Sequence, residues 1–286
     1  MKIIVNIAGG FGNQLFSYAF GYALSQEKNA KLCLDTSTQD SGMTRKLDLI
    51  NLNVAYDCRM THKYGTSYMD KVFLNKIRKL NAIGWTNQFY IEKNPTVYEP
   101  AVHDINTSTY FKGNWQSEKY FKDYREELCR MFTPAKPFSP YVLAIMDELA
   151  QNNSVALHIR RGDYMDLGNT ISMEYYERAI NSICSMLEKP VFYIFSDDRD
   201  YCRAYFESHF KGLNFKYPVY PSENTTLDDF FLMTACKHQI IANSSYSWWA
   251  AWLNSNPGKR VIAPEVNMWG GDFYPEEWLK IKSVFM

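Results

Sequence analysis

His158, Arg160, Arg161 and Asp163 fall within six residues at the end of an apolar run, in "SVALHIRRGDYMD" (154–166). Two guanidiniums and a carboxylate on the last positions of what reads as a buried strand are charges turned toward a ligand, and the ligand they suit is anionic. Guanidiniums make charge-assisted hydrogen bonds to phosphate, each contributing about 1.5–3 kcal/mol net. That interaction strengthens as charge develops on a departing diphosphate, which is catalysis without a metal. In an extended chain His158 and Arg160 point one way, and Ile159 and Arg161 the other. Gly162 then permits a sharp exit, which is expected to turn Arg161 and Asp163 toward the site. An ion pair between Asp163 and either arginine is the structural alternative.

Three further segments carry related chemistry. "GGFGNQLF" (9–16) supplies G-x-G through Gly10 and Gly12, and Asp35 closes the next strand. This begins a dinucleotide fingerprint, but Leu15 stands where the third glycine belongs. Glycines here let backbone amides approach a ligand, and Asn13 offers a donor and an acceptor to a sugar or phosphate; a tight turn of structural use is the alternative. "ANSSYSWWAAWLN" (242–254) opens on Asn243, Ser244, Ser245 and Ser247. One serine caps a helix, and hydroxyls at its positive end also suit phosphate oxygens. Trp248, Trp249 and Trp252 read as core rather than as a sugar platform. In "FSDD" (195–198) Asp197 and Asp198 are adjacent, a poor arrangement for converging on one cation, so no metal site is assigned. Asp229 is either a charge at a helix start or a carboxylate accepting from the N1–H and amine of guanine. No G-x-S-x-G elbow is present, which argues against serine hydrolysis.

The elements that must position these residues alternate. "KIIVNI" (2–7) and "AKLCLD" (30–35) read as strands around a helix that runs from the glycine loop to about Ser25. Between 40 and 110 the pattern weakens: "FLNKIRKLNAI" (73–83) has helical period, and "NQFYIEKN" and "STYFKG" read as short strands. Apolar spacing predicts a helix over 117–132. Three prolines in "TPAKPFSP" (133–140) mark a boundary, dividing the chain into domains 1–136 and 137–286. Beyond it, helices at 139–151, 173–188, 199–210, 226–236 and 245–254 alternate with strands at 154–159, 191–196, 215–220, 238–243 and 259–264. That rhythm predicts a mostly parallel sheet covered on both faces. All four segments then fall at carboxyl ends of strands, where open parallel sheets bind ligands.

Composition narrows the classes. The 286 residues are 46% apolar, with 21 Tyr, 18 Phe and 7 Trp, which excludes disorder. Lys plus Arg equals Asp plus Glu at 31 each, which gives no support to a wrap-around nucleic-acid binder. Six cysteines are scattered with no C-x-x-C pair, so reduced, mostly buried thiols are expected rather than zinc. No apolar run is long enough to span a bilayer.

The combination of "GGFGNQLFSYAFGYAL", "HIRRGDY", "FSDD" and "LMTACKHQIIANSSYSWWAAWLN" resembles bacterial alpha-1,2-fucosyltransferases of glycosyltransferase family 11 over nearly the full length. The resemblance implies an α/β, GT-B-like fold of two Rossmann-like domains facing each other across a cleft. The N-terminal domain would be acceptor-side, and the C-terminal one would bind the nucleotide. It implies inverting transfer of L-fucose from GDP-β-L-fucose to the 2-hydroxyl of a terminal β-galactoside, with no cofactor and no divalent metal. Carried onto this chain, Arg161 matches the diphosphate arginine, Arg160 supports it and His158 shapes the strand end. Asn13 matches a residue reaching fucose or phosphate, Ser244 and Ser245 the phosphate-facing hydroxyls, and Asp229 a guanine-side carboxylate, with Gly10, Gly12, Asp197 and Asn243 completing the expected donor-binding set. Asp163 or Asp166 is the candidate general base. The segment 40–115 is expected to shape the acceptor pocket, with Trp85 and Trp115 stacking on sugar rings. A lipid-linked oligosaccharide acceptor, the bacterial cytoplasm and peripheral contact with the inner membrane fit the same reading. Rival readings are a transferase of another GDP-sugar or linkage, an NAD-dependent oxidoreductase using Asp35, and a non-catalytic glycan-binding protein.

Overall fold

Strand β1 (Lys2–Asn6) shows why the first half of the chain builds a parallel sheet. Ile3, Ile4 and Val5 are fully buried in succession, which requires cover on both faces. The computed structural model describes residues 1–40, 45–61, 88–220, 226–266, 268 and 270–286; the helix expected at 73–83 and Trp85 lie outside the described residues. The chain divides into two compact units, Met1–Lys136 with Gly270–Phe273, and Pro137–Trp269 with Tyr274–Met286.

In the first unit β1 lies between β2 (Lys31–Asp35) and β5 (Thr109–Lys112), with β3 (Cys58–Met60) and β4 (Gln88–Ile91) outside them. All pairings are parallel, in the order β3-β2-β1-β5-β4. Helix Phe11–Glu27 packs on β1 and β2 and buries most of its length. Its Phe20 ring stacks on Trp115 at 3.9 Å between centroids. Trp115 is fully enclosed, so the sugar-stacking role expected of it is corrected: it is a core residue. The stretch 117–132 is also not one helix. Two 3-10 turns, Glu118–Tyr120 and Lys122–Tyr124, precede helix Arg125–Met131. Phe121 leaves helical geometry between them (φ −145°, ψ 0°) and buries its ring beside Phe16. The expectation of free thiols is likewise corrected at one pair. Parallel register sets Cys33 opposite Cys58 with Cα atoms 4.7 Å apart, and the two form a disulfide.

The second unit starts at helix Pro140–Gln151, whose cap Ser139 accepts from the Val142 N–H at 3.3 Å. Strands β6 (Ser154–Ile159), β7 (Val191–Ser196), β8 (Asn214–Lys216), β9 (His238–Ile240), β10 (Val261–Glu265) and β11 (Leu279–Lys282) form a second sheet. It is again parallel, in the order β11-β10-β9-β6-β7-β8. Alternation along β6 sorts its side chains: Val155, Leu157 and Ile159 join a core with Tyr175, Tyr176, Ile180 and Ile183 of helix Met173–Met186 and with Phe206 of helix Arg199–His209. His158 faces the other way, its ring 5.7 Å from that of Tyr246 in helix Ser245–Leu253. Trp248, Trp249 and Trp252 of that helix are buried, as core residues should be.

Candidate active site

Sheet order decides which motifs meet. Because β6 is flanked by β9 and β7, the carboxyl ends carrying Arg160–Arg161, Asn243–Ser245 and Asp197–Asp198 are adjacent. The chain leaves β6 through a tight turn into the short helix Gly162–Asp166. Gly162 is required there by proximity: a Cβ on it would lie 2.7 Å from Asp197 Oδ2. That carboxylate is the clamp of the turn, accepting from the Arg161 N–H at 2.9 Å and pairing with Arg160 Nη1 at 2.8 Å.

The two arginines part company at this point. Arg160 keeps to the His158 side of the sheet, pairs with Asp163 at 2.6 Å and lies over the Tyr164 ring. Its side chain is 26% exposed. Tyr164 in turn donates to the Asn243 carbonyl at 3.5 Å, joining the arginine turn to the serine segment. Arg161 keeps to the other side, 9% exposed, over the Tyr201 ring and bonded through Nε to Asp198 at 3.0 Å. Its Nη1 is buried without a hydrogen-bond partner among the described residues. Tyr201 and Asp198 hold the Arg161 guanidinium, and Arg160 has the more exposed side chain of the two, 26% against 11%. The carboxylate of Asp163 is engaged by Arg160, which is the structural alternative named for it, and Asp166 is exposed. Burial, reinforced by the nearby Arg160 charge, pushes His158 down to about 3, so its imidazole is neutral.

Ser244 caps helix Ser245–Leu253, its hydroxyl accepting from the Tyr246 N–H at 3.3 Å. Ser245 opens the helix, half-buried, at its positive end. Asn243 is buried and donates to the Asn169 carbonyl at 3.0 Å. Asp229 lies in the first turn of helix Thr226–Ala235, where it accepts from the Tyr220 hydroxyl and meets Arg199 at 3.6 Å.

In the first unit Gly10 and Gly12 stand at the start of the 17-residue helix Phe11–Glu27. The glycine that the loop demands, however, is Gly9, with φ +76° and a would-be Cβ 2.9 Å from Asn13 Nδ2. Asn13 Oδ1 accepts from Gln116 at 3.0 Å. Gln14 is fully buried; it donates to the carbonyls of Gly9 and Lys46 and accepts from the N–H groups of Asp48 and Leu49. Asp35 is fully buried and accepts from Tyr110 and Ser37, so it is turned into the protein rather than toward a ribose, against the NAD reading. Among the described residues no group of three or more His, Cys, Asp or Glu is placed to hold a metal.

Residues 2–282 match the profile of Glycosyl transferase family 11. The chain belongs to that family. It is 32% identical to an Escherichia coli alpha-1,2-colitosyltransferase over 98% of this chain and 99% of the other. It is 31% identical to the Escherichia coli O-antigen biosynthesis glycosyltransferase WbnK, over 90% and 92%. Among solved structures, the fucosyltransferase NodZ from Bradyrhizobium superposes with a TM-score of 0.53 at 12% identity, covering 87% of this chain and 92% of that one. The family 11 chain is thus a glycosyltransferase with two Rossmann-like domains of GT-B type. Sequence reasoning missed Gly9, Gln14, Tyr164 and Tyr201 in this family 11 protein. Gln14 and Tyr164 were open to it, since both lie inside the motifs that were singled out. Tyr201 carries no signal, because its contact with Arg161 depends on which strand lies beside β6.

Proposed function

We propose that this chain transfers a sugar from a GDP-sugar to a glycan hydroxyl with inversion, holding the donor in its second unit. The observation that carries this reading is the convergence, on two adjacent strand ends, of the accessible Arg160 and the neutral His158 at β6 and the serine-capped helix start beyond β9. As the sugar C1–O bond loosens toward an oxocarbenium-like state, charge grows on the leaving diphosphate. Arg160 and the amides at Ser245 are assigned to absorb it. A neutral His158 adds no competing charge and suits a nucleoside rather than a phosphate oxygen. Asp229, with Tyr220 and Arg199 around it, is assigned to the base side. The acceptor hydroxyl attacks from the opposite face. Asp163, held by Arg160, orients that arginine before it takes any proton. The first unit, through Asn13, is assigned to the acceptor and fucosyl contacts.

The donor sugar is read as fucose or a deoxygenated relative of it, and the linkage as α-1,2 to a galactoside. The motifs' resemblance to alpha-1,2-fucosyltransferases supports fucose; the similarity to the alpha-1,2-colitosyltransferase supports another sugar on the same linkage. A panel of GDP-fucose, GDP-colitose, GDP-mannose and UDP-galactose with β-galactoside acceptors, run in EDTA and followed by linkage analysis, tests this. Turnover confined to GDP-deoxysugars, with the new bond at the 2-hydroxyl and no metal requirement, is expected. Preference for a UDP-sugar would overturn the reading.

A further inference from the structure

Arg161 is restrained by Tyr201 and Asp198. Its guanidinium carbon lies 3.5 Å from the centroid of the Tyr201 ring. Its Nε bonds Asp198, and Asp198 also accepts from the Tyr201 N–H at 3.3 Å. One carboxylate thereby ties the arginine to the first turn of the helix that carries the ring. Tyr201 is fixed in its turn, stacked near Tyr205 and packed against the core of Tyr176, Cys202 and Phe206.

We propose that Tyr201 is a positioning residue for the donor site: its ring pins Arg161, and the pinned Arg161 sets the turn that presents Arg160. The constraint is passed on through Asp197, one oxygen of which takes the Arg161 N–H while the other holds Arg160. A planar guanidinium stacks on an aromatic face in a way an ammonium does not reproduce, and a desolvated cation gains most from such a face. Fixing the turn before the nucleotide arrives removes ordering that binding would otherwise have to supply. The inference rests on the reading of Arg160 as the diphosphate contact.

The test is calorimetric affinity for GDP in Tyr201→Phe, Tyr201→Leu, Arg161→Met, the Tyr201→Leu/Arg161→Met double variant and Arg160→Ala. Tyr201→Phe keeps the ring and should match the wild type. Tyr201→Leu and Arg161→Met should each weaken affinity at least about tenfold, and the double variant no more than the worse single one, as expected of residues acting as a unit. Wild-type affinity in Tyr201→Leu, or effects that multiply in the double variant, would overturn the proposal. If Tyr201→Leu does not fold, Arg161→Lys decides: the charge stays, the stack goes, and undiminished affinity overturns the proposal. Undiminished affinity in Arg160→Ala would instead overturn the donor reading itself, so the two failures are told apart.

Discussion

Arg160 and Arg161 are chain neighbours with opposite surroundings, and the difference comes from strand alternation carried two residues past the end of β6. The sequence made the alternation legible. It did not reveal that Tyr201 and Asp198, on the next strand's exit, would keep Arg161 on its own side. Gly162 is where this arrangement is most easily broken. Adding a methyl there brings a Cβ within 2.7 Å of the carboxylate that clamps both arginines, so Gly162→Ala should cut turnover at least about tenfold while circular dichroism stays unchanged. His158 offers a second test. Its folded-state pKa of about 3 lies below the ordinary value of 6.5, so between those values the unfolded chain binds the extra proton. Its neutral imidazole therefore stops favouring the fold as pH falls from about 6.5 toward 3, at up to about 1.4 kcal/mol per pH unit. Thermal unfolding of His158→Asn and wild type between those limits should show the wild type losing ground to the variant toward acid; parallel curves would refute this.

Element by element, the long buried strands were readable because both faces are covered, so their apolar runs are unbroken. Edge strands β3 and β11 were not, since "CRM" and "LKIK" carry charge on partly exposed positions, and a short edge strand has no pattern to show. The interrupted helix at 117–132 has another cause: its apolar spacing is real, but Phe121 is drawn out of the helix into the core. Helix Ser245–Leu253 combines both duties. Its first residues are assigned to the donor, and its tryptophans are buried in the core. Trp249→Ala removes a fully buried indole and should cost about 3–5 kcal/mol, read as a lowered denaturant midpoint. Ser245→Ala should leave the midpoint near wild type and weaken GDP binding. A midpoint unmoved in Trp249→Ala would contradict the packing described.

For the whole molecule, the α/β class and the parallel sheets followed from periodicity, and the family from the four motifs. The Cys33–Cys58 pairing did not, because only sheet register brings together residues 25 apart in the chain. What unites the scales is the claim that the second unit holds a nucleoside diphosphate through Arg160 at the end of β6. The affinity of GDP for the wild type and for Arg160→Ala, measured at one ionic strength, tests it most directly. Removing a charge-assisted hydrogen bond to phosphate, at about 1.5–3 kcal/mol, predicts a drop of roughly ten- to 150-fold. Equal affinities in two folded proteins would contradict it.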